Sequence, residues 1–511
     1  MQATLEQRLL AIPRETLTQL RRGVEKESLR ATPEGALAMT PHPTALGSAL
    51  THPHITTDFS ESQLELITGV HGTPEACIAE LTHIHQVVYR HIGDEMLWCA
   101  SMPCRLPAEH EIPLGQYGSS NLGRMKTVYR MGLSYRYGRR MQTISGLHYN
   151  FSVPGSLWAA LGMPRDDGYF ALIRNFRRHS WLLLYLFGAS PAVCSTFVEG
   201  RSHQLEELKP GTMHLPHATS LRMGPLGYQS DAQALISASY NGMNTYASSL
   251  YNALTRTYPE YEAIGICDSG EYRQLNTTLL QIENEFYGTI RPKRRIHRGE
   301  RPLHALSERG VEYVEVRLMD LDPFSPVGIT ASTMRFLDVF LLHCLLSASA
   351  QDTPDENRAI GRNQHRVAAF GREPGLRLDR FGAETTLREW GEEVLDGCAP
   401  VAAALDAAHA SDAYGAALAR ARTAMADATI LPSARVLDGM RRLENSSHVR
   451  FVAAQSLQHR DAVRSTPLPA EVEARFQALT EQSLAEQRSM EAADDLSFEE
   501  YRQKYLAQKL L

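Results

Sequence analysis

Two acidic residues near the amino terminus, Glu25 and Glu27, stand two positions apart within residues 23–30. Side chains at this spacing point to the same side only in an extended strand, because successive strand residues alternate between the two faces. On a helix the two carboxylates would point to nearly opposite sides. The spacing therefore predicts a strand that carries paired carboxylates on one face.

Three more segments alternate polar and apolar residues in the same way. Their polar faces carry Glu315 and Arg317 in residues 313–318, His148, Asn150 and Ser152 in residues 147–153, and Gln63 and Glu65 in residues 58–67. For any one of these segments, the solvent-facing side of an antiparallel sheet is the simpler interpretation. Four polar faces that concentrate acids, with little lysine, favour one shared site.

If these strands are neighbours, their acids converge, and like charge at short range raises pKa values or requires cations. Oxygen ligands favour Mg²⁺, and a single imidazole, His148, leaves Mn²⁺ as an alternative. An arginine beside bound metal, here Arg317, suits phosphoryl transfer because negative charge grows on the equatorial oxygens of the moving group. The acids expected to converge are Glu25, Glu27, Asp58, Glu65 and Glu315.

The composition is that of a cytoplasmic enzyme. The chain has 511 residues, 43% hydrophobic and 22% charged, with a formal net charge of −6, which does not indicate a nucleic-acid or membrane surface. The amino terminus lacks a basic start followed by an apolar run, so we expect no export. The apolar stretch from Trp181 to Ala189 is too short to span a bilayer and predicts a buried helix. The seven cysteines form no C-x-x-C pair, which favours reduced thiols.

Length alone would suggest about three domains. No flexible linker interrupts residues 1–345, however, so we predict one catalytic unit over residues 1–511, with a sheet-based core at 12–345 and a mainly helical region at 346–511. Thr73, Pro74 and Glu75 predict the start of a helix, and the apolar run at 335–350 predicts a core helix. Residues 352–357 are predicted as a loop.

The common nucleotide-binding and nucleophile motifs, G-x-x-x-x-G-K-[ST], G-x-G-x-x-G and G-x-S-x-G, do not occur in the sequence. If ATP is used, metal and side chains must hold its phosphates. Basic residues cluster at 123–130 and 290–295, where they are candidates for that role. A solvated, charged edge remains the alternative interpretation of each cluster.

Several segments resemble the proteobacterial glutamate–cysteine ligases. They are residues 22–30, 50–59, 141–152, 185–192, 281–287, 312–317 and 322–326. The resemblance covers roughly residues 20 to 345 and is weak beyond 350. It implies an α+β, glutamine-synthetase-like catalytic fold, in which a curved antiparallel sheet forms a metal-lined funnel, helices pack outside and the C-terminal region is helical.

The resemblance also implies a reaction and its location. The γ-carboxylate of L-glutamate attacks the γ-phosphate of ATP, and the amine of L-cysteine then displaces phosphate from γ-glutamyl phosphate. The products are γ-glutamylcysteine, ADP and phosphate, in the first step of glutathione biosynthesis. The expected partners are these small molecules, with no nucleic acid and no membrane, and the expected form is a cytoplasmic monomer.

Site residues follow position by position from the resemblance. The implied Mg²⁺ ligands are Glu25, Glu27, Asp58, Glu65, His148 and Glu315, with Glu27 and Arg317 as catalytic residues and Arg317 stabilising the transferring phosphoryl group. Arg222 is similar to the residue that holds substrate glutamate. The implied cysteine pocket comprises Phe59, Tyr129, Leu133, Gln142, Tyr228 and Tyr287. Arg130 and Asn150 complete the predicted substrate-binding set.

Three other functions remain open at this stage. A related carboxylate–amine ligase would keep the metal site and use another amine acceptor. A non-catalytic metal- or metabolite-binding protein would keep the fold, although the acids and the arginine are all retained. A metal-dependent hydrolase would turn over without ATP.

Overall fold

The computed structural model describes residues 4–227, 231–236, 238–297, 299–443 and 445–511. The strands are β1 Arg21–Ala31, β2 Ile55–Thr57, β3 Gln63–Ile67, β4 Met96–Leu97, β5 Leu147–Ser152, β6 Ala192–Cys194, β7 Glu206–Lys209, β8 Thr212–His214, β9 Cys267–Asp268, β10 Glu271–Tyr272, β11 Ile290–Lys293, β12 Tyr313–Met319, β13 Arg377–Arg380 and β14 Ala383–Thr386. The helices are α1 Leu5–Ala11, α2 Arg14–Leu17, α3 Pro74–His91, α4 Asn121–Tyr137, α5 Arg139–Gln142, α6 Gly155–Leu161, α7 Arg165–Phe187, α8 Asp231–Ala234, α9 Met243–Thr255, α10 Pro259–Ile264, α11 Pro302–Arg309, α12 Ala331–Leu346, α13 Pro354–Phe370, α14 Leu387–His409, α15 Ala413–Ala426, α16 Pro432–Arg441, α17 His448–Ser465, α18 Ala470–Ala493 and α19 Phe498–Leu506.

The main sheet has the strand order β11-β12-β5-β1-β3-β2, and β4 pairs with the end of β1. Every pair in it is antiparallel. The order ends at β11 and β2, so the sheet is open. The mixed α+β class, the antiparallel sheet and the helical C-terminal region predicted from the sequence are confirmed.

The apolar face of these strands forms the hydrophobic core with α3, α7 and α12. Val24, Leu64, Tyr149 and Val316, one residue from each of four strands, are at most 1% exposed. Helix α3 begins where predicted, because Thr73 Oγ1 accepts the N–H of Ala76 at 3.2 Å. The opposite face of the strands stays free of this core and holds the predicted polar residues.

Two predicted boundaries are wrong. Residues 58–62 form a turn between β2 and β3 and are not part of a strand, because Gln63 N–H donates to the Ser60 carbonyl at 2.9 Å and closes the hairpin. The loop predicted at 352–357 is the start of α13: Thr353 Oγ1 accepts the N–H of Glu356 at 3.2 Å, and Pro354 occupies the first helical position. The residues that indicated a loop are a helix cap.

The C-terminal region is built mainly of helices α13 to α19, with the β13–β14 hairpin between α13 and α14. The largest hydrophobic cluster contains residues of both α12 and α14, on either side of residue 345. The single catalytic unit over residues 1–511 and its division at 345/346 both stay predictions. Within the described residues, no helix is both long and apolar enough to cross a membrane.

A buried ion pair joins the sheet to the helical layer. Arg22 Nη2 on β1 lies 2.9 Å from Asp338 Oδ2 on α12, and both side chains are 0% exposed. Tyr149 Oη on β5 donates to Asp338 Oδ1 at 2.7 Å, so one carboxylate connects α12 to two central strands. Removing it would leave a buried guanidinium without its counter-charge.

We therefore expect Asp338→Ala to lower the free energy of unfolding by about 3–5 kcal/mol. Asp438→Ala is the matched control, because Asp438 pairs with Arg442 at 2.6 Å on the protein surface, where the two side chains are 58% and 78% exposed. Its expected effect is below about 1 kcal/mol. Urea denaturation followed by circular dichroism measures both, and equal effects would contradict a structural role for the buried pair.

Candidate active site

A cavity of about 440 Å³ lies against the polar face of the main sheet. It is lined by strands β1, β2, β3, β5, β11 and β12, by helix α4 and by the segments around residues 222 and 282–289. The sequence-predicted residues that line it are Glu25, Glu27, Asp58, Phe59, Glu65, Tyr129, Arg130, Leu133, Gln142, His148, Arg222, Tyr287, Glu315 and Arg317.

Strand register brings the acids together. Glu27 on β1 pairs with Glu65 on β3, and Glu25 pairs with His148 on β5. Glu315 on β12 lies opposite Asn150, the residue two positions beyond His148. Directly opposed side chains in antiparallel strands have Cβ atoms about 4.5–5.5 Å apart. Residues far apart in sequence thus become close neighbours through backbone pairing alone.

His148 lies at the centre of three carboxylates. Its Nδ1 is 3.3 Å from Glu25 Oε2 and 3.5 Å from Glu315 Oε1, while its Nε2 is 3.5 Å from Glu27 Oε1. Burial, followed by the nearby Arg317 guanidinium, lowers the pKa of His148. The imidazole is therefore neutral at physiological pH, the form in which histidine binds metal.

The carboxylates divide into two electrostatic groups. Burial and the Asp58 carboxylate raise the pKa of Glu27 to about 8, and burial together with Glu25, Asp58 and Glu27 raises the pKa of Glu65 well above its usual range. Burial also opposes ionisation of Glu315, but Arg317 and Lys293 hold its pKa well below the usual range. A cation would therefore do most to stabilise the ionised forms of Glu27 and Glu65, on β1 and β3.

These residues fit a hard divalent cation. Donor atoms of Glu25, Glu65 and His148 all lie within 4.8 Å of one another. Glu315 Oε2 is buried and makes no hydrogen bond to the described residues, although Lys293 Nζ lies 3.4 Å away. Carboxylate oxygens with one imidazole are suitable ligands for Mg²⁺ or Mn²⁺.

Cations occupy the β11–β12 side of the cavity. Arg317 Nη1 lies 2.9 Å from Glu315 Oε1 and 3.4 Å from His148 Nδ1, and its side chain is 23% exposed. Arg291 on β11 pairs with Glu315 in the strand register, and Lys293 follows on the same face. This edge offers positive charge directly beside the acids, as binding of a polyphosphate requires.

Arg222 is buried beneath the acids, at 2% exposure. Its Nη2 donates to the Arg317 carbonyl at 2.6 Å, and its Nη1 lies 3.8 Å from Asp320 Oδ1. A Cβ atom at Gly146 would lie only 2.1 Å from Arg222 Nη2, so this close approach requires glycine at that position. Gly146 N–H also donates to Glu27 Oε2 at 2.6 Å, which fixes the carboxylate.

The cavity wall opposite the acids is largely apolar. Phe59 and Leu133 are 1% and 6% exposed and pack in one cluster with Tyr129. Gln142 Nε2 donates to Tyr287 Oη at 2.8 Å, which gives the wall a polar edge. Tyr228, also predicted for this pocket, lies outside the described residues.

Two predicted substrate-binding residues mainly support other groups. Asn150 does not line the cavity; its Nδ2 donates to Glu25 Oε1 at 2.8 Å and orients that carboxylate. Arg130 lines the cavity, but its Nε donates to the Asp58 carbonyl and its guanidinium lies 4.5 Å from the Tyr117 ring centroid. Arg130 thereby holds the turn that carries Asp58.

Among the further cavity residues that sequence reasoning left outside its site set are three cations and one glutamine. Lys126 belongs to the basic cluster at 123–130, on α4, and Arg291 and Lys293 belong to the cluster at 290–295. In the second cluster, alternation along β11 would have separated cavity-facing from outward-facing residues. Gln364, on α13 of the helical C-terminal region, had no signal in the sequence. Its place depends on packing between distant segments.

Comparison with known proteins agrees with this geometry. The sequence model of the family described as glutamate–cysteine ligase matches residues 8–367. The glutamate–cysteine ligase of Pseudomonas fluorescens (strain Pf0-1) is 50% identical over 485 residues, covering 93% of this chain and 91% of the relative. That of Bordetella petrii is 49% identical over 504 residues, covering 96% and 95%.

A solved structure agrees as well. The crystal structure of the Francisella tularensis glutamate–cysteine ligase in complex with AMP superposes with a TM-score of 0.91 at 38% identity, covering 96% of this chain and 97% of that one. Sequence and fold thus match over nearly the whole length of each relative. On this evidence the chain belongs to the glutamate–cysteine ligase family.

Proposed function

We propose that this protein is an ATP-dependent carbon–nitrogen ligase that joins the γ-carboxylate of L-glutamate to the amine of L-cysteine through γ-glutamyl phosphate. The products are γ-glutamylcysteine, ADP and phosphate, the first being the precursor of glutathione. The observation that carries the proposal is the cavity in which Arg317 lies beside Glu315 and His148 on one face of the sheet. We further propose that the enzyme acts in the cytoplasm as a monomer.

The floor of the cavity, which is the side formed by the main sheet and its acids, would hold the metal. We assign Mg²⁺ binding to Glu25, Glu27, Asp58, Glu65, His148 and Glu315, with Mn²⁺ as an alternative. When bound, Mg²⁺ neutralises phosphate oxygens of ATP and lets an anionic nucleophile approach them. Asn150 and the Gly146 N–H keep Glu25 and Glu27 oriented before the metal arrives.

The basic edge would hold the phosphates. Arg317 lines the cavity with a side chain that is 23% exposed, and it stabilises the charge that develops on the transferring phosphoryl group. Lys293 and Arg291 continue the positive edge along β11. Burial and the neighbouring Arg317 lower the pKa of Arg291 to about 10, so it remains protonated at neutral pH.

The two amino-acid substrates would occupy separate sides of the cavity. Arg222, buried beside Gly146 and bonded to the Arg317 backbone, would hold the glutamate carboxylate in line with the phosphoryl group. The wall made by Phe59, Tyr129, Leu133, Gln142 and Tyr287 would hold cysteine. An apolar wall distinguishes cysteine from similar small amino acids by only about 1–3 kcal/mol.

The first test concerns the metal. We expect Glu27→Gln to abolish ligation, because it removes a ligand, and to leave the fold intact, because it also removes a repelling charge. The folded-state pKa of Glu27 is about 8 against an ordinary value of 4.5, so the folded metal-free protein binds more protons than the unfolded chain between these values. The contribution of Glu27 to the stability of the metal-free protein is therefore fully present below about pH 4.5 and is lost as pH rises through about 8.

Thermal unfolding of the metal-free protein at several pH values measures this loss. Glu27→Gln should reduce the pH dependence, and excess Mg²⁺ should raise the wild-type unfolding temperature most at high pH. Glu34→Gln removes an exposed carboxylate in the turn after β1, outside the cavity lining, and should change neither activity nor pH dependence. Full activity of Glu27→Gln, or of the wild type in excess chelator, would contradict the metal assignment.

The second test concerns the intermediate. If the γ-carboxylate is phosphorylated, glutamate labelled with ¹⁸O in that carboxylate should pass one labelled oxygen to inorganic phosphate when cysteine displaces it. Mass spectrometry of the released phosphate measures the transfer. Unlabelled phosphate together with normal product would rule out an acyl phosphate.

The third test concerns the acceptor. Tyr287→Ala removes ring area and the partner of Gln142, so the KM for cysteine should rise roughly tenfold or more, the equivalent of about 1.4 kcal/mol. The KM values for ATP and glutamate should change far less. Tyr251→Ala, at a tyrosine on α9 that is 41% exposed, is the control. A raised KM for glutamate alone would favour a ligase with a different acceptor.

A further inference from the structure

The end of the chain, residues 494–506, packs against the elements that form the apolar wall of the cavity. At the N-terminus of α4, Asn121 N–H donates to Asp494, and Asn121 Nδ2 donates to the Leu496 carbonyl at 2.9 Å. Helix α19 then begins at Phe498 with a capping box in which Ser497 and Glu500 satisfy each other's backbone N–H groups. This capped helix lies outside residues 8–367, which the family model matches.

An aromatic cluster connects α19 to two wall residues. Phe498 is 4% exposed and clusters with Met125 of α4 and Leu275 of the following segment. Tyr129 and Ile282 pack on the same cluster, and both also line the cavity. Each of these two residues therefore packs on a cluster that includes Phe498 of α19 and also lines the cavity.

A chain of hydrogen bonds runs from α19 to the wall. Arg502 is 7% exposed, and its Nη1 donates to the Leu275 carbonyl at 2.5 Å. Leu275 N–H donates to Gln281 Oε1 at 2.9 Å, and Gln281 Nε2 donates to the Tyr129 carbonyl at 3.2 Å. Ile282 follows Gln281 directly, so the relay ends at two wall residues.

The relay is braced at both ends. Glu499 accepts Arg502 Nε at 2.8 Å and Tyr272 Oη at 2.7 Å, which fixes the guanidinium over the 272–275 segment. At the other end, a Cβ atom at Gly132 of α4 would lie 2.2 Å from Gln281 Oε1. Gln281 therefore contacts the α4 backbone so closely that a displacement of either one moves the other.

We infer that α19 positions the acceptor wall of the active site and that Arg502 is the positioning residue that transmits this support to Tyr129 and Ile282. The inference rests on the proposed function in one respect, the assignment of this wall to cysteine. Among the described residues, Arg502 donates hydrogen bonds to Glu499 and to the Leu275 carbonyl, neither of which lines the cavity. The acids, Arg222 and Arg317 belong to strands and segments outside the relay. Loss of Arg502 should therefore weaken acceptor binding selectively.

The test uses the full-length protein with three variants. Arg502→Ala removes the donor, Arg502→Lys keeps a cationic donor, and Tyr272→Phe removes only the hydroxyl that braces Glu499. Lys504→Ala is the matched control, since it removes an exposed cation from the same helix two positions away. Steady-state kinetics with each substrate varied in turn, and hydrogen exchange of residues 272–287, are measured for all four.

For Arg502→Ala we expect the KM for cysteine to rise roughly fivefold, with KM values for ATP and glutamate within about twofold of wild type. Amide exchange of the 272–287 segment should accelerate. Tyr272→Phe should give a smaller change in the same direction, Arg502→Lys should restore most of the affinity, and Lys504→Ala should match wild type.

The inference is overturned if Arg502→Ala leaves the KM for cysteine unchanged, whatever happens to exchange. It is also overturned if all three KM values rise together or if Lys504→Ala has the same effect, because either result indicates general loss of structure. Failure of the proposed function is distinguishable, because the wild-type protein would then form no ADP in response to cysteine.

Discussion

Carboxylates on one face of a sheet repel one another, and in this protein they are held together because the other face of the same strands is buried. Val24, the residue before Glu25 on β1, is 1% exposed and packs in the core with Leu64 and Leu66 of β3. A shift of one residue in the register would bury the acids and expose the apolar side chains. The hydrophobic free energy of the core therefore fixes an acidic cluster that would not assemble in isolation.

The same constraint explains why the site is electrostatically uneven. On β1 and β3, burial together with neighbouring carboxylates raises the pKa values of Glu27 and Glu65. On β12, Arg317 lies two residues from Glu315 on the same face and holds the pKa of that carboxylate low. A metal ion would most stabilise the ionised acids of β1 and β3. A phosphate group would meet the positive charge of Arg317 on β12. Such a gradient across the sheet would orient a bound triphosphate without a glycine-rich loop.

Alternation along the strands made much of this site predictable. The spacing of Glu25, Glu27, His148 and Glu315 sets their common face, and the register of an antiparallel sheet then brings them together. Alternation does not predict which residues are brought to the cavity by packing between distant segments. Asn150 lies on the polar face, as a binding residue would, but its side chain donates a hydrogen bond to Glu25. Gln364 lines the cavity from α13, a helix in which the sequence shows no motif. The cap at Thr353 was mistaken for a loop because capping residues and turn residues are of the same types.

The floor of the cavity is held by backbone pairing and its wall by side-chain contacts. This difference bears on specificity for the acceptor. The floor consists of strands whose backbone pairing and buried ion pair, Arg22 with Asp338, leave little freedom for the acids that line the cavity. The wall consists of α4 and the 281–287 segment, which are held by side-chain contacts such as Gln142 with Tyr287 and Gln281 with the Tyr129 backbone. Side-chain contacts can be exchanged without disturbing a sheet. Changes of acceptor can therefore accumulate in the wall while the phosphoryl-transfer chemistry of the floor is preserved.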